Sequence, residues 1–220
     1  MNLYARQEQY FAKAYETGLH GWPTTEPSDF VEKAFKKIKP SLQNISEPSD
    51  SRVLDIGCGE GRHTFLAARY GFHAVGLDYQ LSAIHRALGF AENQDAGAGL
   101  SFIAGDVFRL PFQEKSFDML IDFGCLHHVK KKDFSRYLNS ILTPLRPGGY
   151  YVLSCFSTEF KHHPGEKRTR DWLVHRGHYD RFFRKQDFKT LFGRDFDQLD
   201  YNRERDGSYV FHQVLMRRKN

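Results

Sequence analysis

The sequence predicts a doubly wound α/β fold, in which a mostly parallel sheet ends in a C-terminal antiparallel hairpin and is preceded by N-terminal helices. Three observations lead to this prediction. Short apolar runs alternate with helical segments between Val53 and Phe156, which is typical of a parallel sheet with helical connections. The first run opens into a loop of alternating glycines that leads into a helix. The chain from Phe196 to Arg217 alternates apolar and polar residues around Asp206-Gly207, as antiparallel hairpins do.

Size and composition favour a single domain over residues 1–220, because 220 residues with 40% hydrophobic composition can bury one α/β core. No early apolar run is long enough for a signal peptide, and none approaches the ~20 apolar residues of a membrane helix. We therefore expect a cytoplasmic protein with no membrane partner. The three cysteines show no paired spacing and are expected to be reduced thiols. A net charge of +5 mildly favours anionic partners.

Residues 1–40 are predicted to form two helices ahead of the sheet. The second is expected over Phe30–Ile38, capped by Ser28-Asp29 and stopped by Pro40. The first is expected to end at Gly18 or Gly21, and Trp22 follows it. It is unusually rich in aromatic residues, namely Tyr4, Tyr10, Phe11 and Tyr15. The second helix is interpreted as plain packing, whereas the aromatic residues of the first could cover a bound ligand.

The glycine loop lies between Val53 and Arg62, where a short strand ends and a helix begins. Alternating Gly57, Gly59 and Gly61 allow the backbone to adopt φ above zero and to lie against a ligand. The free amides at the start of the next helix would then face that ligand.

Departures from known loop signatures limit the kinds of ligand that the glycine loop could bind. The Gly-Lys-Ser/Thr ending of a phosphate loop is absent, and a dinucleotide fingerprint needs a small residue where this chain has Arg62. Asp55, at the end of the strand, would repel a pyrophosphate but suits a cationic group. S-adenosylmethionine has a sulfonium and an ammonium and no phosphate.

The stretch Leu54-Asp-Ile-Gly-Cys-Gly-Glu-Gly61 resembles the first motif of the class I S-adenosylmethionine-dependent methyltransferases. The resemblance covers roughly Asp50 to Phe156 and includes Leu145-Arg-Pro-Gly-Gly149 before the fifth strand. It implies a Rossmann-like fold and methyl transfer from S-adenosylmethionine, with S-adenosylhomocysteine as the product. It also implies that residues 1–40, including Tyr10, form a lid over the cofactor.

Further along the chain, strands and helices alternate as this fold requires. The predicted strands are Val53–Ile56, Phe72–Asp78, Leu100–Ala104, Ser116–Asp122 and Tyr150–Phe156, and the predicted helices between them are Thr64–Tyr70, Ser82–Phe90 and Phe134–Leu142. Asp133 is expected to cap the last of these helices. A short helix over Gln186–Phe192 precedes the closing hairpin.

The cofactor residues are expected at the carboxyl ends of these strands. Asp55, Gly57 and Gly59 belong to the glycine loop, and Asp78 lies about twenty residues on, where a carboxylate can accept hydrogen bonds from both ribose hydroxyls. Tyr79 would lie against adenine or ribose, or would simply be exposed. The resemblance places Asp106 and Val107 at the adenine. Asp122 and Phe123 complete the expected cofactor site, because they open the loop after the fourth strand.

That loop also holds His127 and His128, which should face the transferable methyl group. Each histidine could be a general base, a polar cofactor contact or a structural hydrogen-bonding group. A base is needed only for a hydroxyl or a protonated amine. A metal pair is disfavoured, because no cysteine or carboxylate has ligand spacing around the two histidines.

Residues 157–184 form the least regular part of the sequence and are rich in arginine and lysine. In the resembled family such an insert commonly covers the substrate, although a solvated basic loop is the plain alternative. We therefore expect a small-molecule acceptor, with an acidic one favoured by the charge. An RNA methyltransferase and a non-catalytic cofactor-binding subunit are the alternatives, and a nicotinamide dehydrogenase is the weakest.

Overall fold

The computed structural model describes residues 2–18, 26–43, 51–92, 99–161, 166–169 and 171–220. Its helices are α1 Leu3–Thr17, α2 Asp29–Gln43, α3 Arg62–Arg69, α4 Leu81–Glu92, α5 Phe134–Leu142 and α6 Lys185–Phe192. Its strands are β1 Arg52–Ile56, β2 His73–Asp78, β3 Leu100–Ala104, β4 Phe117–Phe123, β5 Leu145–Phe156, β6 Trp172–His175, β7 His178–Arg181, β8 Phe196–Asp206 and β9 Tyr209–Arg218.

Seven of these strands form one sheet in the order β3-β2-β1-β4-β5-β9-β8. The first five are parallel, and β9 and β8 continue the sheet as an antiparallel hairpin. The predicted fold class is therefore confirmed. The strand order reverses between β1 and β4, and a crevice for ligands is expected beyond the carboxyl ends of these two strands.

Helices cover both faces of the sheet. On one face, α5 and α6 contribute large buried side chains such as Tyr137 and Phe188 to a core with β4 and β5. On the other face, α2 and α3 bury Phe35 and Leu66 against β1, β2 and β4. Because the central strands are covered on both sides, their apolar runs are nearly continuous, as β1 and β4 show.

Two predicted boundaries and one predicted helix cap are wrong. Helix α2 continues through Pro40, although the proline removes one backbone hydrogen bond, because Phe35 and Ile38 anchor the helix in the core. Strand β5 begins at Leu145 and not at Tyr150, and the intervening residues form an irregularity in its pairing with β4. Asp133 makes no capping bond to α5.

The prediction that residues 157–184 are irregular is also partly wrong, since β6 and β7 form a regular two-stranded hairpin within this insert. Ser157 and Phe183 form a bridge that returns the chain to the main sheet. Trp22, which was expected to follow the first helix, lies outside the described residues. No helix in the described ranges has the length and apolar character of a membrane span.

Candidate active site

A single cleft of about 1480 Å³ lies at the carboxyl ends of β1, β2 and β4, where the strand order reverses. Helix α1 and strand β7 cover it. One part of its wall, called here the glycine end, is formed around Asp55, Gly57, Gly59 and Asp78. The other part, called here the histidine end, is formed around His127, His128, His178 and Asp180.

At the glycine end, the loop after β1 is held by backbone geometry. Gly57, Gly59 and Gly61 have φ of 67°, 55° and 88°, a region that side chains rarely permit. The amides of Gly57 and Cys58 both donate to the carbonyl oxygen of Leu77, at 2.7 and 3.0 Å. The loop is therefore fixed against the end of β2.

Asp78 ends β2 beside this loop, as the spacing predicted. Its Oδ2 accepts a hydrogen bond from the Gly59 amide at 2.9 Å, and its Oδ1 accepts one from the Gln80 amide at 2.9 Å. Burial raises the pKa of the Asp78 carboxyl, while the amides of Gln80, Gly59 and Tyr79 act in the opposite direction. Each carboxylate oxygen has a second lone pair, so Asp78 can still accept two hydroxyl donors.

Asp55 is buried at the end of β1 and lines the same end of the cleft. Thr64 donates to its Oδ2 at 2.7 Å. Burial raises the pKa of Asp55 to about 7, although Thr64 and the charge of Arg62 both favour the ionised form. A cationic ligand group would complete the ionisation.

The remaining predicted cofactor residues have different surroundings. Asp106 is exposed and accepts a hydrogen bond from the Phe108 amide at 2.8 Å, and it lines the cleft together with Val107. Tyr79 also lines the cleft and is 40% exposed, so it can lie against a ligand. The ring of Phe123 lines the cleft and lies 4.6 Å from that of His63.

Asp122 has a supporting position that the sequence did not indicate. Its Oδ1 accepts hydrogen bonds from the amides of Cys125 and Leu126, at 2.8 and 3.2 Å, and its Oδ2 accepts one from the Tyr137 hydroxyl. Tyr137 in turn lies 2.5 Å from the Tyr151 hydroxyl. Asp122 is fully buried, and burial raises its pKa to about 6. Its side chain holds the loop that carries the two histidines and does not face the cleft as expected for a cofactor contact.

The aromatic residues of α1 divide between the two ends of the cleft. Tyr10, expected at the cofactor, stacks on His178 with ring centroids 4.1 Å apart, which places it at the histidine end. The Tyr15 hydroxyl lies beside the glycine loop, since a Cβ at Gly59 would be 2.8 Å from it. The lid itself stays a prediction.

Polar contacts also hold α1 across the cleft. Gln7 donates to the carbonyl oxygen of His128 at 3.3 Å and accepts from the Tyr179 amide at 3.1 Å. Gln80 donates to the carbonyl oxygen of Glu8 at 2.8 Å. Helix α1 is thus bonded to both the histidine end and the glycine end.

At the histidine end, Asp180 lies between two histidines. Its Oδ1 is 3.1 Å from Nδ1 of His128, and its Oδ2 is 3.0 Å from Nε2 of His178. The same Nδ1 of His128 donates to the carbonyl oxygen of Tyr179 at 3.0 Å. Burial alone would raise the pKa of Asp180, but the two histidines hold it well below its usual value. In the described ranges no group of three or more His, Cys, Asp or Glu side chains could hold a metal ion.

His127 has a different environment from His128. Its ring stacks on Phe156 with centroids 3.8 Å apart, and burial lowers its pKa well below the usual value. Among the residues that the structure describes, none hydrogen-bonds its Nδ1. His127 is therefore a neutral ring in the wall of the cleft.

The basic insert presents less charge to the cleft than its composition implied. Arg168 donates to Glu166 at 2.6 Å, lies 3.8 Å over the Phe182 ring, and has a side chain only 3% exposed. Arg176 is exposed and lines the cleft. Arg170 lies outside the described residues.

Sequence reasoning missed Asp180 and His178 as site residues. The sequence does contain a signal for this pair, because residues two apart on a strand share one face, so His178 and Asp180 project together from β7. Recognising it required identifying β7 inside a segment that was expected to be irregular.

Comparison with known proteins identifies the family of this site. Residues 47–193 match the family described as "Methyltransferase domain". A fatty-acid O-methyltransferase of Mycolicibacterium smegmatis is 31% identical over 138 residues, which are 60% of this chain and 46% of that protein. A probable tRNA methyltransferase 9B of Mus musculus is 29% identical over 142 residues, which are 64% of this chain and 29% of that protein. The chain thus spans less than half the length of these curated relatives.

The fold also has solved counterparts. A 1,6-didemethyltoxoflavin-N1-methyltransferase of Burkholderia thailandensis superposes with a TM-score of 0.76 at 22% identity, covering 99% of this chain and 89% of that one. That structure contains 1,6-didemethyltoxoflavin and S-adenosylhomocysteine. At this level of identity the likeness establishes the shared fold.

Proposed function

This chain belongs to the class I S-adenosylmethionine-dependent methyltransferase family, as its glycine loop predicted, and on that premise we propose that it methylates a small-molecule acceptor. The observation that carries the proposal is the continuity of the cleft. One cavity joins the glycine end to the histidine end, so a donor and an acceptor can meet inside it. Its volume of about 1480 Å³ exceeds the ~300–1000 Å³ of a site for one drug-sized ligand.

The residues of the glycine end fit S-adenosylmethionine. Asp78 has lone pairs available for the ribose hydroxyls, Asp55 supplies a carboxylate for a cationic group, and Asp106 and Val107 line the same cleft and could contact the adenine. Gly57 and Gly59 leave the backbone open to the ligand.

When bound, S-adenosylmethionine supplies a methyl group on a positively charged sulfur that is already a good leaving group. The task left to the protein is to hold the acceptor in line, and such positioning can account for ~7–11 kcal/mol of barrier reduction. Helix α1 serves this task, because its hydrogen bonds join both ends of the cleft.

The structure weakens the case for an acidic acceptor. That expectation rested partly on Arg168, whose charge is paired with Glu166 beneath aromatic rings. Arg176 still lines the cleft and could pair with an acidic group on the acceptor. The small-molecule class itself is supported by the fatty-acid relative and by the enclosed site.

RNA is the second candidate acceptor, favoured by the tRNA methyltransferase relative and by the net charge of +5. Transfer to RNA should weaken steeply with salt as counterions are released, whereas transfer to a small molecule should respond much less. A cofactor-binding subunit without activity would not need the polar histidine end.

Calorimetry tests the proposal at its first step. S-adenosylhomocysteine should bind the wild-type chain, and adenine dinucleotides should not, because Asp55 and Arg62 leave no site for a pyrophosphate. Methyl transfer to small aromatic and aliphatic compounds and to tRNA, each at two salt concentrations, then identifies the acceptor class. Dinucleotide binding with no response to S-adenosylhomocysteine would contradict the proposal.

A further inference from the structure

We propose that the histidine end receives a flat aromatic acceptor through a ring N–H or O–H group, and that Nε2 of His128 removes its proton while Asp180 positions His128. This inference rests on the proposed function and specifies its acceptor. The steps that lead to it are the tautomer of His128, the charges around that ring and the aromatic wall of the cleft.

The tautomer of His128 follows from one hydrogen bond. A carbonyl oxygen can only accept, so the 3.0 Å contact with Tyr179 requires a proton on Nδ1 of His128. The neutral ring then carries its lone pair on Nε2. No group in the described part of the chain hydrogen-bonds that nitrogen, and His128 lines the cleft. Nε2 is thus free to accept a proton from a ligand.

Carboxylates lie close to the His128 ring, where a transferred proton would add a positive charge. From β7, the Asp180 carboxylate lies 3.1 Å from Nδ1, and from β4 the buried Asp122 adds a second negative charge. His178 and His127 face the same ring and oppose protonation only when they are charged themselves. Helix α1 contributes the Phe11 ring, at 4.9 Å between centroids, and no charge.

His178 strengthens this arrangement and adds an acceptor atom of its own. A carboxylate can only accept, so Nε2 of His178 donates to Asp180 and fixes that carboxylate in place. The neutral ring of His178 then has its lone pair on Nδ1, which is buried without a hydrogen-bond partner among the described residues. His127 is a poor base by contrast, because its burial disfavours the charged ring.

The wall around these histidines selects a flat ring. Aromatic side chains line this part of the cleft, namely Tyr10, Phe156, Phe160, Phe182, Tyr209 and Phe211. The Phe156 ring is nearly parallel to that of His127, with centroids 3.8 Å apart, and to that of Phe182, with centroids 5.9 Å apart, so parallel ring planes already exist there. Flat aromatic acceptors gain from such surfaces through offset stacking.

The proposed step balances without a further reactant. The N–H or O–H bond of the acceptor breaks, and its proton passes to Nε2 of His128. The electron pair left on the acceptor nitrogen or oxygen forms the new bond to the methyl carbon, and the departing sulfur keeps the pair of the broken carbon–sulfur bond. The product is the methylated ring, and the His128 proton is released to solvent.

The test uses the full chain and three probe acceptors, 2-naphthol, 1-naphthol and 2-naphthalenethiol. Binding of S-adenosylhomocysteine is measured first, and its absence would overturn the proposed function itself. Given binding, His128→Gln should slow methyl transfer to both naphthols by ~10²–10⁴-fold. Transfer to the thiol should change less than about threefold, because thiols ionise near neutral pH without a base.

Three results would overturn the inference while leaving the proposed function intact: equal losses on the thiol and on 2-naphthol, an unchanged rate on 2-naphthol, and transfer only to acceptors outside this aromatic panel. His212→Gln is the matched control, since His212 also bonds a backbone carbonyl, that of Phe183 at 3.0 Å, but does not line the cleft. The control should keep its activity on all three probes.

Two further measurements separate a positioning role for Asp180 from a purely structural one. Asp180→Asn should reduce transfer to 2-naphthol and move the acidic limb of the pH–rate profile to lower pH, because the charged ring loses a neighbouring carboxylate. Its affinity for S-adenosylhomocysteine should stay within about twofold of wild type. In the resting enzyme, nitrogen-edited NMR should show the proton of His128 on Nδ1. An Nε2–H signal would contradict the assignment of the base.

Discussion

The two ends of the cleft differ in how the chain builds them. The glycine end comes from one stretch of sequence, residues 55–79, in which two parallel strands and their loop bring Asp55, Gly59 and Asp78 together. The histidine end combines α1, the loop after β4, the end of β5 and the β6–β7 hairpin. Local backbone geometry thus forms the donor site, whereas long-range packing forms the acceptor site. Loss of one distant contact should therefore affect the histidine end more.

The largest expected effect of a substitution is at Asp122, which supports the loop of the histidine end. Asp122→Ala leaves the Tyr137 hydroxyl and the amides of Cys125 and Leu126 without their acceptor. We expect the free energy of unfolding to fall by ~3–5 kcal/mol, since each stranded buried donor costs ~1–3 kcal/mol. Urea unfolding measures this change in the free energy of unfolding. Tyr151→Phe, which removes only the last hydroxyl of this chain of bonds, should cost about 1 kcal/mol. A comparable loss in both variants would remove the support role from Asp122.

The second largest expected effect concerns ligand binding at the glycine end. Asp78→Ala should weaken S-adenosylhomocysteine binding by ~1–3 kcal/mol, about 5- to 150-fold in dissociation constant, because ligand hydroxyls and the Gly59 amide lose their acceptor. Calorimetry measures this change. Asp180→Asn is the control at the other end. Equal weakening by both variants would mean that the two ends do not bind separate ligands.

A third prediction concerns pH. Because the pKa of Asp55 is raised to about 7, a cationic ligand must ionise it on binding, and affinity should fall by up to about tenfold per pH unit below pH 7. Stability of the ligand-free chain responds with the opposite sign: ionised Asp55 destabilises the fold above pH 7, and that effect disappears as the pH falls. Asp55→Asn should bind weakly with little pH dependence in this range. If Asp55→Asn kept the wild-type pH dependence of binding, Asp55 would not be the group that pairs with the cationic ligand.

The smallest expected effect tests the span of α1 between the two ends. Gln7→Ala removes the bonds to His128 and Tyr179, at 3.3 and 3.1 Å, and should cost ~1–2 kcal/mol of stability. Turnover should fall more than affinity for S-adenosylhomocysteine, because Gln7 holds the histidine end. Exposed Glu16→Ala is a control on the same helix. If turnover stays unchanged while stability falls, α1 only packs on the domain.

The contrast between the two ends of the cleft also explains which features could be predicted from the sequence. The order of elements, the hairpin over Phe196–Arg217 and the site at Asp55 and Asp78 follow from local patterns, namely apolar periodicity and alternating glycines. These patterns extend over only a few residues. They can therefore be recognised in the sequence without knowing how the helices and strands pack.

The features that the sequence did not predict depend on contacts between residues that are distant in sequence. Asp122 was expected at the cofactor because it ends a strand, but Tyr137 turns it into a loop support. Arg168 was counted as charge near the acceptor, but Glu166 and Phe182 bury it. Neither partner is visible as such in a linear pattern.

A crystal structure with S-adenosylhomocysteine tests the central claim most directly, namely that one cleft has a donor end and a separate acceptor end. We predict the ribose hydroxyls at Asp78, the amino group toward Asp55 and adenine beside Asp106 and Val107, with the histidine end left for the acceptor. The claim would be contradicted by ligand density that fills the histidine end or lies outside the cleft.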